Sequence, residues 1–248
     1  MKRFAVLLAV FVIAGPVHAD ADIDAKVTAA MNAESRPAAD RERDENRKPL
    51  ETLTFFGLKD DMRVLELLPG GGWYTRILAP VLADEGQLYV SIGTNTVREQ
   101  VLTTPGFDDV ETVDAGDNLR RDESIGFYVL DAVDFGLEDL DMVLTFRNLH
   151  NFDPESREKL NKAVFESLKP GGLYGVVDHT RRHMQEANPE NGRRIDPVLV
   201  IKEMLDLGFE FVDYSDLHYR PDDELIYEVG RKTVTGNTDR FTFLFRKP

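Results

Sequence analysis

The chain has 248 residues, 42% hydrophobic and 30% charged, enough for one substantial core and little more. Its 45 Asp and Glu outnumber 30 Lys and Arg, and such an acidic chain repels phosphate backbones and anionic lipid surfaces, so no nucleic-acid partner is expected. It contains no cysteine, which excludes disulfides, thiolate metal sites and cysteine nucleophiles.

The N-terminus reads as a cleavable secretory signal. Lys2 and Arg3 form a positive start, residues 4–14 an apolar run too short to span a bilayer, and Gly15-Pro16 a helix break. Val17-His18-Ala19 then puts small residues at the two positions a signal peptidase reads. Cleavage of residues 1–19 leaves 28 Lys and Arg against 45 Asp and Glu, a net charge of −17. The expectation is a periplasmic or secreted protein with no membrane insertion after cleavage.

Residues 20–57 read as an N-terminal helical extension. Residues 21–33 are Ala-rich, Arg36-Pro37 interrupts, and residues 38–56 resume the helix. In Arg41-Glu42-Arg43-Asp44-Glu45-Asn46-Arg47-Lys48 opposite charges recur three and four apart, which suits a solvated helix face. Leu50, Leu53 and Phe56 are spaced to pack on the domain behind, and Gly57 fits a helix C-cap.

Over residues 58–248 strands alternate with helices. Residues 63–67 are predicted as a short buried strand, 73–82 as a helix, 87–92 as a second strand and 96–102 as a short helix. Residues 110–113 and 127–130 are both strand-like, with their order open. A strong strand follows at 141–146, then a helix at 154–168 with proline in its first turn. Lys169-Pro170-Gly171-Gly172 reads as a turn and residues 173–177 as a fifth strand. An Asp-Pro start and Gly208 bound a helix at 196–207, and residues 210–214 and 240–245 form an antiparallel pair. The prediction is an α/β fold. It is a Rossmann-like, doubly wound, seven-stranded, mostly parallel sheet with a C-terminal antiparallel hairpin, preceded by N-terminal helices.

The most informative segment is Val64-Leu65-Glu66-Leu67-Leu68-Pro69-Gly70-Gly71-Gly72-Trp73-Tyr74. A buried strand runs into three glycines and then a helix. Glycines let a ligand approach the backbone, and a helix N-terminus presents free N–H groups. Ligands in open α/β sheets sit at the carboxyl ends of strands, so a ligand is expected here.

This segment resembles motif I of class I S-adenosylmethionine-dependent methyltransferases, an acidic residue followed by alternating glycines. Glu66, Gly70 and Gly72 match, and Leu68 stands where the first glycine is usual. Asp141-Met142-Val143-Leu144 resembles the fourth strand of that family, and Leu168-Lys169-Pro170-Gly171-Gly172 the turn before its fifth. Pro37-Ala38-Ala39-Asp40-Arg41, Arg147-Asn148-Leu149-His150-Asn151 and Val177-Asp178-His179 further resemble an exported group of such proteins. One feature departs from the family: Leu88-Tyr89-Val90-Ser91-Ile92-Gly93 lacks the carboxylate that usually ends the second strand and holds the ribose.

The resemblance implies S-adenosylmethionine as cofactor and an unidentified small molecule as methyl acceptor. Glu66, Pro69, Gly70, Gly71, Gly72, Tyr74, Asp131, Arg147 and Asn148 are the candidate cofactor residues. Asp131-Ala132 resembles the acidic-Ala pair after the third strand, with Asp134 an equal candidate if the register slips. Methyl transfer needs a positioned, deprotonated acceptor. His150, Asp178 and His179 are the candidate catalytic residues; Arg147, Asn148 and Asn151 also suit a substrate carboxylate or carbonyl. Arg181-Arg182-His183 and Arg193-Arg194 read either as a lid that attracts an anion or as a solvated loop. The histidines lack metal-ligand spacing, so no metal is expected. The alternative function is a non-catalytic periplasmic ligand-binding or scaffold protein on the same fold.

Overall fold

A computed structural model describes residues 18–116, 118–124 and 126–248, with side chains from Ile23 onward. The signal-sequence expectation rests on residues that, apart from His18 and Ala19, lie outside the described ones.

Four helices come first: α1 (His18–Asn32), α2 (Ala38–Arg41), α3 (Asp44–Arg47) and α4 (Pro49–Phe56). The single helix predicted over 38–56 is thus three short ones. Proline disfavours helical geometry at the residue before it; Lys48 sits at φ 42° and Pro49 starts α4 afresh. Gly57 caps α4 at φ 73°, as its lack of a side chain allows.

The sheet strands are β1 (Arg63–Leu67), β2 (Gln87–Ser91) and β3 (Glu111–Val113), with helices α5 (Thr75–Leu82) and α6 (Asn95–Gln100) between them. A separate antiparallel ribbon, β4 (Arg120–Asp122) with β5 (Phe127–Val129), comes next. Then follow β6 (Leu140–Phe146), α7 (Pro154–Ser167), β7 (Leu168–His179), α8 (Pro197–Asp206), β8 (Glu210–Ser215) and β9 (Arg240–Arg246). The seven-stranded sheet has the order β3-β2-β1-β6-β7-β9-β8. Pairings are parallel from β3 through β7, and β9 runs antiparallel to both β7 and β8. The two strand-like segments left open therefore separate: residues 111–113 join the sheet edge, and residues 127–129 belong to the ribbon. Lys169-Pro170-Gly171-Gly172 is the first part of β7 rather than a distinct turn, because Gly171 and Gly172 exchange backbone bonds with Lys247.

Helices cover both faces, which is why β1 and β6 are near-continuous apolar runs. On one face Leu65, Val143, Tyr174 and Val176 pack under α7 and α8. On the other Val64, Met142, Leu144 and Val177 meet α5, α4 and α1 through Ile77, Phe56, Leu53 and Val27. Strand order reverses between β1 and β6, so the crevice of an open α/β sheet falls at their carboxyl ends.

Candidate functional site

At that crevice three neighbouring strands end in a non-glycine residue at positive φ: Leu68 after β1 (49°), Ile92 after β2 (62°) and Arg147 after β6 (65°). Left-handed backbone costs an L-residue about 1–2 kcal/mol, and a β-branched isoleucine there is a genuine outlier. Backbone bonds hold two of these turns: Leu68 N–H donates to Ser91 O at 2.9 Å and Arg147 N–H to Val177 O at 2.6 Å. Leu68, standing where the resembled motif usually has glycine, takes the left-handed conformation that glycine adopts without strain. Strain of this kind concentrates at ligand sites.

The glycine loop divides its labour. Gly70 (φ 56°) and Gly71 have open space where a Cβ would stand, so they leave the crevice clear. At Gly72 (φ 76°) a Cβ would lie 2.5 Å from Val101 Cγ2 and 2.9 Å from Val97 Cγ2, so this glycine lets the loop pack on α6. Pro69 is buried and its carbonyl accepts from Gly72 N–H at 2.9 Å. Glu66 is buried beneath the loop and accepts from Thr75 Oγ1 at 2.6 Å; burial pushes its carboxyl up to about 7. Tyr74 is a wall: its ring stacks on Phe146 at 3.5 Å, and its hydroxyl donates to Arg47 O at 3.5 Å. Asn148 Nδ2 bridges to Leu67 O at 3.3 Å and so ties the ends of β6 and β1.

Beyond β2 a cavity of about 490 Å³ is lined by Ile92, Gly93, Asn95, Asp114 and Leu119, among others. Asp131 does not line it; that residue is half-exposed and ion-paired to Arg120 at the ribbon. Asp134 serves its own turn, accepting from Gly136 N–H at 2.8 Å. The acidic-Ala pair directly following β3 is Asp114-Ala115. It was missed because two strand candidates competed for third place. Asp114 is the one carboxylate among the described residues lining this cavity.

His150, Asp178 and His179 do come together. Asp178 is fully buried, accepts from His150 Nδ1, and takes the backbone N–H of His150 at 3.1 Å and of His179 at 2.7 Å. The two imidazoles lie 5.5 Å apart. His179 Nδ1 is 3.0 Å from Thr238 Oγ1. Burial, then His150, Arg147 and Arg240, hold His179 well below the ordinary histidine range, so it is neutral. Among the described residues no group of three or more His, Cys, Asp or Glu is placed to hold a metal.

His179 opens on a cavity of about 370 Å³ that also receives Arg43, Arg47, Arg147, Arg240 and Thr238. Arg47 is buried, not on a solvated helix face: its guanidinium lies 4.3 Å over the ring of Trp73, with Arg36 at 5.1 Å. Arg43, Arg47, Thr238 and Arg240 had no local sequence signal, because they reach the cavity from α3 and the far end of the chain. The arginine pairs read as lid or loop divide, and Arg193 also lines this cavity. Arg194 is buried in a bidentate pair with Asp223, and Arg193 is exposed and paired to Glu228.

No protein-family model and no curated protein matches the chain. Solved structures do share its arrangement. A SAM-dependent methyltransferase from Aquifex aeolicus superposes with a TM-score of 0.58 at 18% identity, over 91% of this chain and 98% of that one. The glycopeptide N-methyltransferase MtfA complexed with sinefungin gives 0.52 at 17%, over 82% and 94%. The cyclase SpnF gives 0.53 at 17%, over 92% and 93%. The fold is therefore the Rossmann-like methyltransferase fold. Because a cyclase shares it, the reaction has to be argued from the site.

Proposed function

We propose that the chain is an S-adenosylmethionine-dependent methyltransferase acting on a small molecule. The observation that carries this is the open cradle of Gly70 and Gly71 at the carboxyl end of β1, beside the strand-order reversal of a methyltransferase fold. When bound, the cofactor supplies an electrophilic methyl group on a sulfonium with a thioether leaving group. The residues present fit it. Gly70 and Gly71 leave room for the methionine end, and Glu66 lies under the loop, where an arriving ammonium would favour its ionised form. Asp114 and Asn95 offer hydrogen-bond partners to the nucleoside end, offsetting the carboxylate missing from β2. The neutral His179 takes the acceptor's proton, and Asp178 with His150 fixes that imidazole's backbone.

We also propose export, on the leader pattern of residues 1–19. N-terminal sequencing of the protein recovered from its host should read Asp20 first; an intact leader would refute export.

Calorimetric titration of the purified protein with S-adenosylmethionine and S-adenosylhomocysteine tests the main reading. Micromolar binding that Gly70→Val abolishes is the expected result. No binding up to millimolar ligand would mean the fold serves another purpose. His179→Ala should lower turnover by roughly 100-fold or more while leaving cofactor affinity intact.

A further inference from the structure

The buried arginines of this chain fall into two groups. Arg36, Arg157 and Arg194 are each matched to a carboxylate, Asp44, Glu203 and Asp223 respectively. Arg47 and Arg240 are just as buried and have no ion-pair partner among the described residues. Both face the cavity of about 370 Å³, together with half-buried Arg147 and exposed Arg43 and Arg193, the last paired to Glu228. The chain holds 45 acidic residues against 30 basic ones, so carboxylates were not scarce. The carboxylates whose charge reaches these arginines are already engaged: Glu66, felt by Arg47, accepts from Thr75 Oγ1. Asp178 binds His150 and two backbone N–H groups, and Asp239 accepts from Arg220 N–H at 2.8 Å.

The positive charge is therefore left without an ion pair, softened for Arg47 only by the face of Trp73. Burial and the neighbouring Arg147 and Arg43 push Arg47 down to about 8, and burial and Arg147 push Arg240 down to about 10. A guanidinium keeps its proton in proteins, so this mutual repulsion persists as a positive potential inside the cavity. The donors already used are few: Arg240 gives one N–H to Asn46 O at 2.7 Å and one to Thr238 O at 3.3 Å. Planar guanidinium forks match the oxygens of carboxylate and phosphate.

We infer that the methyl acceptor carries an oxyanion, a carboxylate or a phosphate, and that Arg47, Arg147 and Arg240 bind it where β6 and β7 end and β9 begins. This rests on the methyltransferase reading for the word acceptor, but the anion site itself does not. The bound negative charge also acts on His179 in the same cavity. It offsets the surrounding arginines, raises the imidazole's affinity for a proton, and so arms the base only when substrate is present.

The test is a titration of the full protein, without cofactor, with inorganic phosphate and with citrate at matched ionic strength. The chain has one tryptophan, Trp73, and Arg47 lies over it, so anion binding should change its fluorescence. Saturable binding by either probe is expected, and the preferred probe separates phosphate from carboxylate. Arg147→Met and Arg240→Met should each weaken it about tenfold or more, whereas Arg246→Met, paired to Glu210 on the outer sheet, should not. Arg147→Met should also raise the melting temperature, since it relieves repulsion and breaks no side-chain hydrogen bond among the described residues. Arg194→Met, which strands Asp223, should lower it. That contrast separates a site arginine from a structural one, and it holds if Arg240→Met fails to fold. Absence of saturable binding by both anions overturns the proposal. So does competition with S-adenosylhomocysteine, which would assign the arginines to the cofactor's own carboxylate. Anion binding in a protein that fails to bind S-adenosylmethionine would uphold the pocket and sink the methyltransferase reading.

Discussion

Glu66 and the glycines beside it carry the sharpest consequences at the scale of single residues. Burial raises the Glu66 carboxyl from 4.5 to about 7. A raised carboxyl favours the native state fully below its unfolded value and loses that contribution as pH rises through the folded one. At about 1.36 kcal/mol per unit, the loss is of order 3 kcal/mol between pH 4.5 and 7. Glu66→Gln keeps an acceptor for Thr75 and does not titrate. Its stability advantage over the parent should grow across that window and then level off, as read by denaturant unfolding at pH 5 and 8. An advantage that shrinks with pH would show that Glu66 is ionised in the native state. The glycines should separate by mechanism. Gly70→Ala adds only positive-φ strain, about 1–2 kcal/mol, and its methyl enters the crevice, so on the proposed function affinity for S-adenosylmethionine should fall more than stability. Gly72→Ala drives a methyl into Val101 and Val97 and should cost more stability, by roughly 1–3 kcal/mol for overpacking. Equal losses at both positions would contradict the division. The glycine turn was readable because strand, glycine and helix signals are all local. Its departure at Leu68 was readable as a mismatch, but only the backbone showed that the left-handed conformation survives without glycine.

At the scale of elements, the N-terminal helices close on the sheet through three backbone carbonyls. Trp73 Nε1 donates to Asp40 O at 3.0 Å, His218 Nε2 to Arg47 O at 2.9 Å, and Arg240 to Asn46 O at 2.7 Å. Each acceptor lies on or beside α2 and α3, helices of four residues too short to persist without such ties. His218 is buried, and burial, then Arg240, pushes it down to about 3 from 6.5. A depressed histidine contributes stability above its unfolded value and loses it as pH falls towards the folded one. At pH 4.5 the loss is of order 3 kcal/mol. His218→Gln retains a donor for Arg47 O without a titrating ring. It should therefore lose less stability than the parent between pH 7 and 4.5 in denaturant unfolding, and an equal loss would remove His218 as the cause. The sequence showed that these helices exist, through their composition and Gly57, but not what they cover. Charges three and four apart suggested solvent, whereas Arg47 turns inward because Trp73 offers it an aromatic face. Strand order was legible up to β2 and from β6 onward. It failed between them because the short segments at 111–113 and 127–129 have the same pattern, and only pairing partners distinguish sheet from ribbon.

Across the whole molecule, the proposed cofactor side and the proposed acceptor side differ in how far they can be traced to sequence. Loops that directly follow strands build the first, so a linear reading finds most of it. The second is assembled from Arg43, Arg47, Arg147, His179, Arg193 and Arg240, among others, which no spacing rule connects. One consequence is that residues 20–57, though read as an extension, should not behave as a separate unit. Val27 and Ala30 of α1 and Leu53 and Phe56 of α4 are buried in the same core cluster as β1, α5 and β6. Trp73 sits at the junction, under Arg47 from α3 and next to Tyr74, which stacks on the end of β6. If the chain is one cooperative unit, its fluorescence and the far-ultraviolet circular dichroism of the sheet should report one coincident thermal transition. Binding of S-adenosylhomocysteine should then move both upward together, because a ligand of the native state stabilises everything that unfolds with it. A fluorescence transition that precedes the dichroism change, and that ligand leaves in place, would mean that the N-terminal helices open independently and that Arg47 is not fixed in the pocket.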